Sequence, residues 1–200
     1  MPNIGKLNKK KVSKDSKVIF IDRDGVINQD PIGDYIKTWS QFEFLPGVFS
    51  SLRKLTKAGY SILIVSNQAG VGDGIYSRAA LHFITKKMLA RLAQSGIKIK
   101  GIYYCLHGKQ AGCHCRKPKT GLFVRAAKKN KFNPRKTFFI GDKASDVLAG
   151  KRFKLKTAFV LTGHGSLDLR QLHGKLKPDL IAKNLSSAVS KILQASPASR

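Results

Sequence analysis

Apolar residues cluster in five short runs along the chain: Lys17–Asp22 (KVIFID), Ser61–Ser66 (SILIVS), Gly101–Cys105 (GIYYC), Lys136–Gly141 (KTFFIG) and Lys156–Leu161 (KTAFVL). They are rich in branched and aromatic residues and are not interrupted by polar ones, as in strands buried on both faces. Between them the spacing turns helical. Val48, Leu52 and Leu55 follow Pro46, and Leu81, Ile84, Met88, Leu89 and Leu92 follow Ser77. Shorter helical segments are expected after Thr120 and Ser145, and Leu185, Val189, Ile192 and Leu193 form the last. Strands alternating with helices predict an α/β fold: a Rossmann-like parallel sheet with helices on both faces and right-handed crossovers. Ligands of such sheets bind beyond the carboxyl ends of the strands.

Residues 25–45 show no helical period and contain Pro31, Gly33 and the aromatic Tyr35, Trp39, Phe42 and Phe44. They read as a folded excursion beside the first strand, a small hairpin in which Tyr35 and Trp39 pack. Residues 1–16, with five lysines, read as a solvated basic tail, residues 17–195 as one domain and residues 196–200 as a short tail. A chain of 200 residues is enough for one sizeable core and too short for two ordinary domains. No apolar stretch approaches the roughly 18 residues of a membrane span, and none of signal-peptide length follows the basic start. The expectation is a cytoplasmic protein that meets no membrane.

Thirty-eight Lys and Arg against 11 acids give a net charge of +27, so anionic company is implied: phosphate esters, nucleic acid or an acidic surface. Charge does not choose among them, but it makes the positions of the few acids informative. The first strand ends in Asp22-Arg23-Asp24-Gly25, and residues i and i+2 of an extended segment face the same way. The fourth ends in Gly141-Asp142 with Asp146 four residues later. Carboxylates converging at one sheet edge repel unless a hard cation such as Mg²⁺ sits among them. Asp146 alone reads more simply as a helix cap. Three cysteines also cluster. Cys105-Leu106-His107, then Cys113-His114-Cys115, offers the Cys₃His set of a structural zinc site, with His107 favoured over His114 by the C-x-H spacing.

Asp22-Arg23-Asp24-Gly25-Val26-Ile27-Asn28 resembles the nucleophile motif of the haloacid dehalogenase superfamily of phosphatases. The superfamily's other motifs are matched in order by Ser66, Lys117 and Gly141-Asp142 with Asp146. The resemblance implies Asp22 as nucleophile, Asp24 as acid and then base, Ser66 and Lys117 at the phosphoryl group, and Mg²⁺ held by Asp22, the Asp24 backbone carbonyl and Asp142. No insertion between the motifs is long enough for a large cap domain. Within the superfamily, C-x-H-x₅-C-x-C-R-K-P is similar to histidinol-phosphate phosphatases and to heptose 1,7-bisphosphate 7-phosphatases. Phe42-Glu43-Phe44, Ser66-Asn67-Gln68-Ala69-Gly70-Val71, Gly101-Ile102-Tyr103-Tyr104-Cys105 and Leu161-Thr162-Gly163 lean to the second. On that resemblance the substrate contacts fall on Asp30 to Gly33, Ser66, Asn67, Gln68, Arg116, Lys117 and Lys143, and the zinc loop fixes the base of the arm carrying Arg116 and Lys117. One departure stands out: where heptose phosphatases place a basic residue shortly after the Asn-Gln segment, this chain has Asp73.

The reading is thus a monomeric Mg²⁺-dependent phosphatase of a small phosphorylated sugar, with structural Zn²⁺. The alternatives are histidinol phosphate or a nucleic-acid end as substrate and, in another class, a nucleic-acid-binding protein with a vestigial site. Scattered lysines and the lack of an aromatic platform leave nucleic acid only non-specific charge contact. His82 and His173 read as surface residues, and His164, in the Leu161–Gly165 loop after the fifth strand, is within reach of the site but reads more simply as solvated.

Overall fold

The computed structural model describes residues 16–195. The two expected tails otherwise lie outside them. Six parallel strands, β1 (Val18–Ile21), β2 (Ser61–Asn67), β3 (Ile99–Cys105), β4 (Phe138–Gly141), β5 (Lys156–Val160) and β6 (Leu180–Ala182), form one sheet in the order β3-β2-β1-β4-β5-β6. That is the doubly wound order in which the chain reverses direction across the sheet between β1 and β4, and the crevice at that point is where such sheets take ligands.

Strand residues alternate between two apolar layers because successive side chains of a strand point to opposite faces. Ile19, Ile21, Ile62 and Ile64 pack with α1 (Val48–Lys57), α3 (Arg78–Gln94) and α7 (Leu185–Ala195), through Leu52, Leu55, Ile84, Met88, Val189 and Ile192. Val18, Phe20, Leu63 and Val65 face the other way, onto Leu122 and Phe123 of α4 (Gly121–Ala127) and Ala149 of α5 (Ala144–Arg152). Each such side chain contributes about 1.5–3 kcal/mol on full burial, so both layers are needed to offset chain entropy. Ser77 caps α3 by accepting from the Ala80 N–H at 3.0 Å.

Differences from expectation are small. The last strand, β6, and the four-residue helices α2 (Ala69–Gly72) and α6 (Gly165–Asp168) were not anticipated, being too short to show a period. Helix α5 begins at Ala144, before Ser145, because Asp146 reaches back to the Lys143 N–H. The excursion is no regular hairpin. It closes on a single antiparallel bridge, Asn28 to Phe44, flanked by Gln29 N–H to Glu43 O and Leu45 N–H to Ile27 O. Trp39 stacks on Phe42 at 5.0 Å, as its packing role required.

Candidate active site

At the carboxyl ends of β1, β2 and β4 the chain leaves a cavity of about 490 Å³. Its wall includes Asp22, Asp24, Asp30, Gly33, Ser66, Asn67, Arg116, Lys117 and Lys143, so nearly all the expected site residues meet there. Asp142 lies just behind, fully buried. Gln68 is placed differently: it is buried and absent from the wall, and its amide is committed elsewhere.

Asp22 continues the sheet, its N–H donating to the Ile140 carbonyl at 2.9 Å, and one carboxylate oxygen accepts from the Arg23 N–H at 2.7 Å. The other meets the Lys117 ammonium at 2.8 Å. Lys117 also reaches Asp146 at 2.7 Å and the Val65 carbonyl at 3.2 Å. These two carboxylates outweigh the burial that opposes its charge and hold the Lys117 pKa above the ordinary lysine value. The backbone of Lys117 is fixed by one side chain, since Asn67 accepts its N–H at 3.0 Å and donates to its carbonyl at 3.1 Å. Asn67 thus anchors the lysine across 50 residues of sequence.

The extended chain does not persist through the nucleophile motif. It turns at Arg23, whose carbonyl accepts from the Ile27 N–H at 2.7 Å, and the Arg23 side chain is driven inside. There its guanidinium grips both Asp24 oxygens at 2.7 and 3.0 Å. Asn28 donates to Asp24 at 2.9 Å, and Gln68 at 2.7 Å. Burial alone would raise the Asp24 pKa, but Arg23 and these donors hold it below the usual carboxylate range. Gln68 is oriented in turn by the Tyr76 hydroxyl, which donates to it at 2.6 Å, and it also donates to Ser66 at 3.0 Å.

Asp22, Asp142 and Asp146 place carboxylate oxygens within 4.8 Å of one another. Asp146 is therefore more than a cap. Burial pushes Asp22 up to about 6 against the pull of Lys117, and burial with the neighbouring acids pushes Asp142 well above the ordinary value. One Asp142 oxygen accepts from the His164 N–H at 2.9 Å; the other is buried without a hydrogen-bond partner. An orphaned carboxylate oxygen among repelling acids fits a hard divalent ion. Gly25 and Gly163 close over this carboxylate, and a side chain on either would overlap it.

Four residues escaped the sequence reading. His164, expected in solvent, lines the cavity and sits 3.3 Å from Asp30, whose carboxylate also takes the Lys143 ammonium at 2.7 Å. Tyr35 and Lys109 also line the wall, and Arg23 is the buried partner of Asp24. Only its place in the loop after the fifth strand hinted at His164, and nothing marked Lys109.

Beside the cavity, Cys105, His107, Cys113 and Cys115 converge. Sulfur-sulfur separations are 3.2 to 3.6 Å, and His107 Nδ1 lies 3.2 Å from Cys115 and 3.7 Å from Cys105. A disulfide would need about 2.05 Å. The edges of a tetrahedron with Zn–S of about 2.3 Å and Zn–N of about 2.0 Å are roughly 3.5–3.8 Å, close to what is seen. Burial raises the Cys105 thiol to about 12, whereas for Cys113 burial is outweighed by backbone N–H groups of Arg116 and Cys115 and the thiol falls to about 6. The loop docks on the end of α2 backbone to backbone: a Cβ on Gly72 would lie 2.6 Å from the His107 carbonyl carbon and the Leu106 oxygen. His114 is not in the cluster.

A HAD-hydrolase-like family model matches residues 114–188. The D-glycero-beta-D-manno-heptose-1,7-bisphosphate 7-phosphatase of Helicobacter pylori J99 is 38% identical over 148 residues, covering 74% of this chain and 84% of its own. That of Pasteurella multocida is 39% identical, covering 74% and 83%. The chain belongs to this family of haloacid dehalogenase-like phosphatases. The crystal structure of D,D-heptose 1,7-bisphosphate phosphatase from B. bronchiseptica, complexed with magnesium and phosphate, superposes with a TM-score of 0.84 at 31% identity, covering 90% of this chain and 99% of that one. Like other phosphatases of the family, the chain is a phosphoric monoester hydrolase. No described helix is long and apolar enough to cross a membrane.

Proposed function

We propose that the chain removes the 7-phosphate of D-glycero-D-manno-heptose 1,7-bisphosphate through an aspartyl-phosphate at Asp22. The observation that carries this reading is the meeting of Asp22, Lys117, Asp146 and the orphaned Asp142 oxygen at one sheet edge, in a chain 38% identical to phosphatases with that name.

Asp22 attacks phosphorus in line, the bond from phosphorus to the sugar oxygen breaks, and water then hydrolyses the acyl phosphate. Lys117, with Ser66 and Arg116, binds the phosphoryl oxygens and offsets their charge. Asp24 handles protons. Because it rests ionised, the proton it delivers to the leaving alkoxide is one brought by the substrate's monoanionic phosphate, whose second pKa is about 6. Once that proton is given up, Asp24 is again a base and takes one from the attacking water. Asp22, Asp142 and the Asp24 carbonyl hold Mg²⁺, which when bound supplies charge neutralisation for the transferring group. The Cys105, His107, Cys113 and Cys115 set holds Zn²⁺ as a structural ion, consistent with four closed ligand positions and three unpaired thiols. Those free thiols suit a reducing cytoplasm, and one chain supplies every group named, so a monomer suffices.

The test is a substrate panel with wild type and Asp22→Asn: heptose 1,7-bisphosphate, histidinol phosphate and a 3′-phosphorylated oligonucleotide. Highest kcat/KM on the first, and a loss of at least about 10³-fold in the variant, is expected. Wild-type turnover by Asp22→Asn would refute the nucleophile, and preference for another substrate the assignment.

A further inference from the structure

Four lysine and arginine side chains face the cavity, and their partners divide them into two pairs. Lys117 is compensated by Asp22 and Asp146, and Lys143 by Asp30. Lys109 and Arg116 form no ion pair among the described residues. Asp34, also on the wall, is taken by Lys37 at 2.9 Å. Uncommitted positive charge in the cavity therefore comes from two side chains. Arg116, with a buried Nη1 that lacks a partner, is the chain neighbour of Lys117 and is the residue assigned above to the transferring phosphoryl group. Lys109 comes from the cysteine loop, and its ammonium lies 5.8 Å from the centre of the Tyr35 ring on the excursion. That contact places the exposed ammonium over an aromatic ring at the cavity wall.

We propose that Lys109 binds the second, untransferred phosphate of the substrate and determines the preference for a bisphosphate, with Asp73 as the residue that positions it. The proposal rests on the bisphosphatase reading above. A sugar phosphate carries between one and two negative charges at neutral pH, and in a cavity with five carboxylates on its wall it needs a cation no acid has claimed. Asp73, the acid standing where the resemblance calls for a basic residue, would repel that phosphate if it pointed inward. It does not line the cavity. Its carboxylate accepts the Lys109 backbone N–H at 3.1 Å and presses on Gly108, where a side chain would overlap it. The end of α2 has exchanged a charge of its own for a hydrogen bond to the loop that supplies one.

The experiment compares kcat/KM on heptose 1,7-bisphosphate with that on heptose 7-phosphate, for wild type, K109A, K109R, D73A, the D73A/K109A double variant and K128A. Lys128 is exposed at the end of α4 and controls for overall charge. K109A is expected to lower the bisphosphate-to-monophosphate ratio by about 10- to 100-fold, through KM, which is about 1.4–2.7 kcal/mol at 1.36 kcal/mol per decade. K109R should recover most of it. D73A should lower the ratio less, and the double variant no further than K109A alone, because Asp73 acts through Lys109. K128A should leave the ratio unchanged. If wild type prefers the bisphosphate and K109A keeps that preference, or K128A lowers it equally, Lys109 is not the determinant. If wild type shows no preference, the bisphosphatase reading itself fails and this inference with it.

Discussion

Replacing Asp142 by asparagine should stabilise the protein in magnesium-free buffer while abolishing turnover. The Asp142 carboxylate is fully buried between Gly25 and Gly163, has an oxygen without a partner, and shares its pocket with Asp22 and Asp146. Burial, then its two acidic neighbours, raise its pKa well above that of an unfolded aspartate. The sign follows from linkage. Below the unfolded pKa near 3.8 both states hold the proton and there is no penalty. As pH rises the unfolded chain releases it while the folded one keeps it, and stability falls by about 1.4 kcal/mol per pH unit until the folded pKa is passed. Each pH unit of that interval is worth roughly 3–5 °C in Tm for a domain of this size. Asparagine keeps the shape, can still accept the His164 N–H, and carries no charge. Melting followed by Trp39 fluorescence in magnesium-free buffer without chelator should therefore show D142N gaining on wild type by about that much per pH unit up to the folded pKa. Magnesium should raise the wild-type Tm and leave D142N unmoved. A D142N protein that melts below wild type at pH 6.5, or a gap that does not widen with pH, would refute the claim that this carboxylate is held at a cost.

Two further outcomes concern the cysteine loop. Gly72→Ala puts a methyl into the backbone of Leu106 to Gly108, so the loop must shift; about 1–3 kcal/mol of stability should be lost, with faster amide hydrogen exchange over residues 106–117 than in wild type. Unchanged exchange would mean that the docking is not tight. Cys115→Ser should lower zinc from about one per chain to a small fraction by metal analysis, and should raise KM more than it lowers thermal stability of the sheet, because Arg116 and Lys117 follow directly in the chain. Full zinc content in the variant would remove Cys115 from the ligand set.

The sheet was legible because strands buried on both faces cannot be polar: VIFI and ILIV stand out in a chain where 24% of residues are charged. β6 was not, since it has three residues and its central Ile181 is 39% exposed at the sheet edge. The acids were legible for a related reason. In a basic chain an aspartate at a strand end is a departure from the background, and Asp22, Asp24 and Asp142 all line or underlie the cavity. Arg23, Lys109 and His164 have no such contrast. An arginine between two aspartates reads as solvated until the turn after β1 is known to drive it inward, and a lysine among 38 Lys and Arg cannot be singled out by type. Their positions depend on chain crossings that leave no local pattern.

The same scarcity shapes the electrostatics. Of 11 acids, five line the cavity and Asp142 lies beneath it, so an acid-rich concavity sits in a molecule of net charge +27. The two signs act at different ranges. Lysines spread over the surface make a long-range field that attracts a phosphorylated substrate from any direction, with a Debye length of about 8 Å at physiological ionic strength. At contact distance the floor alone would repel it, and Lys117 and Arg116, with the proposed cation at Asp22 and Asp142, would reverse that repulsion at the phosphoryl group itself. Remote attraction therefore concentrates anions without choosing among them, and the choice is left to the few groups on the cavity wall whose charge is not already spent on an aspartate.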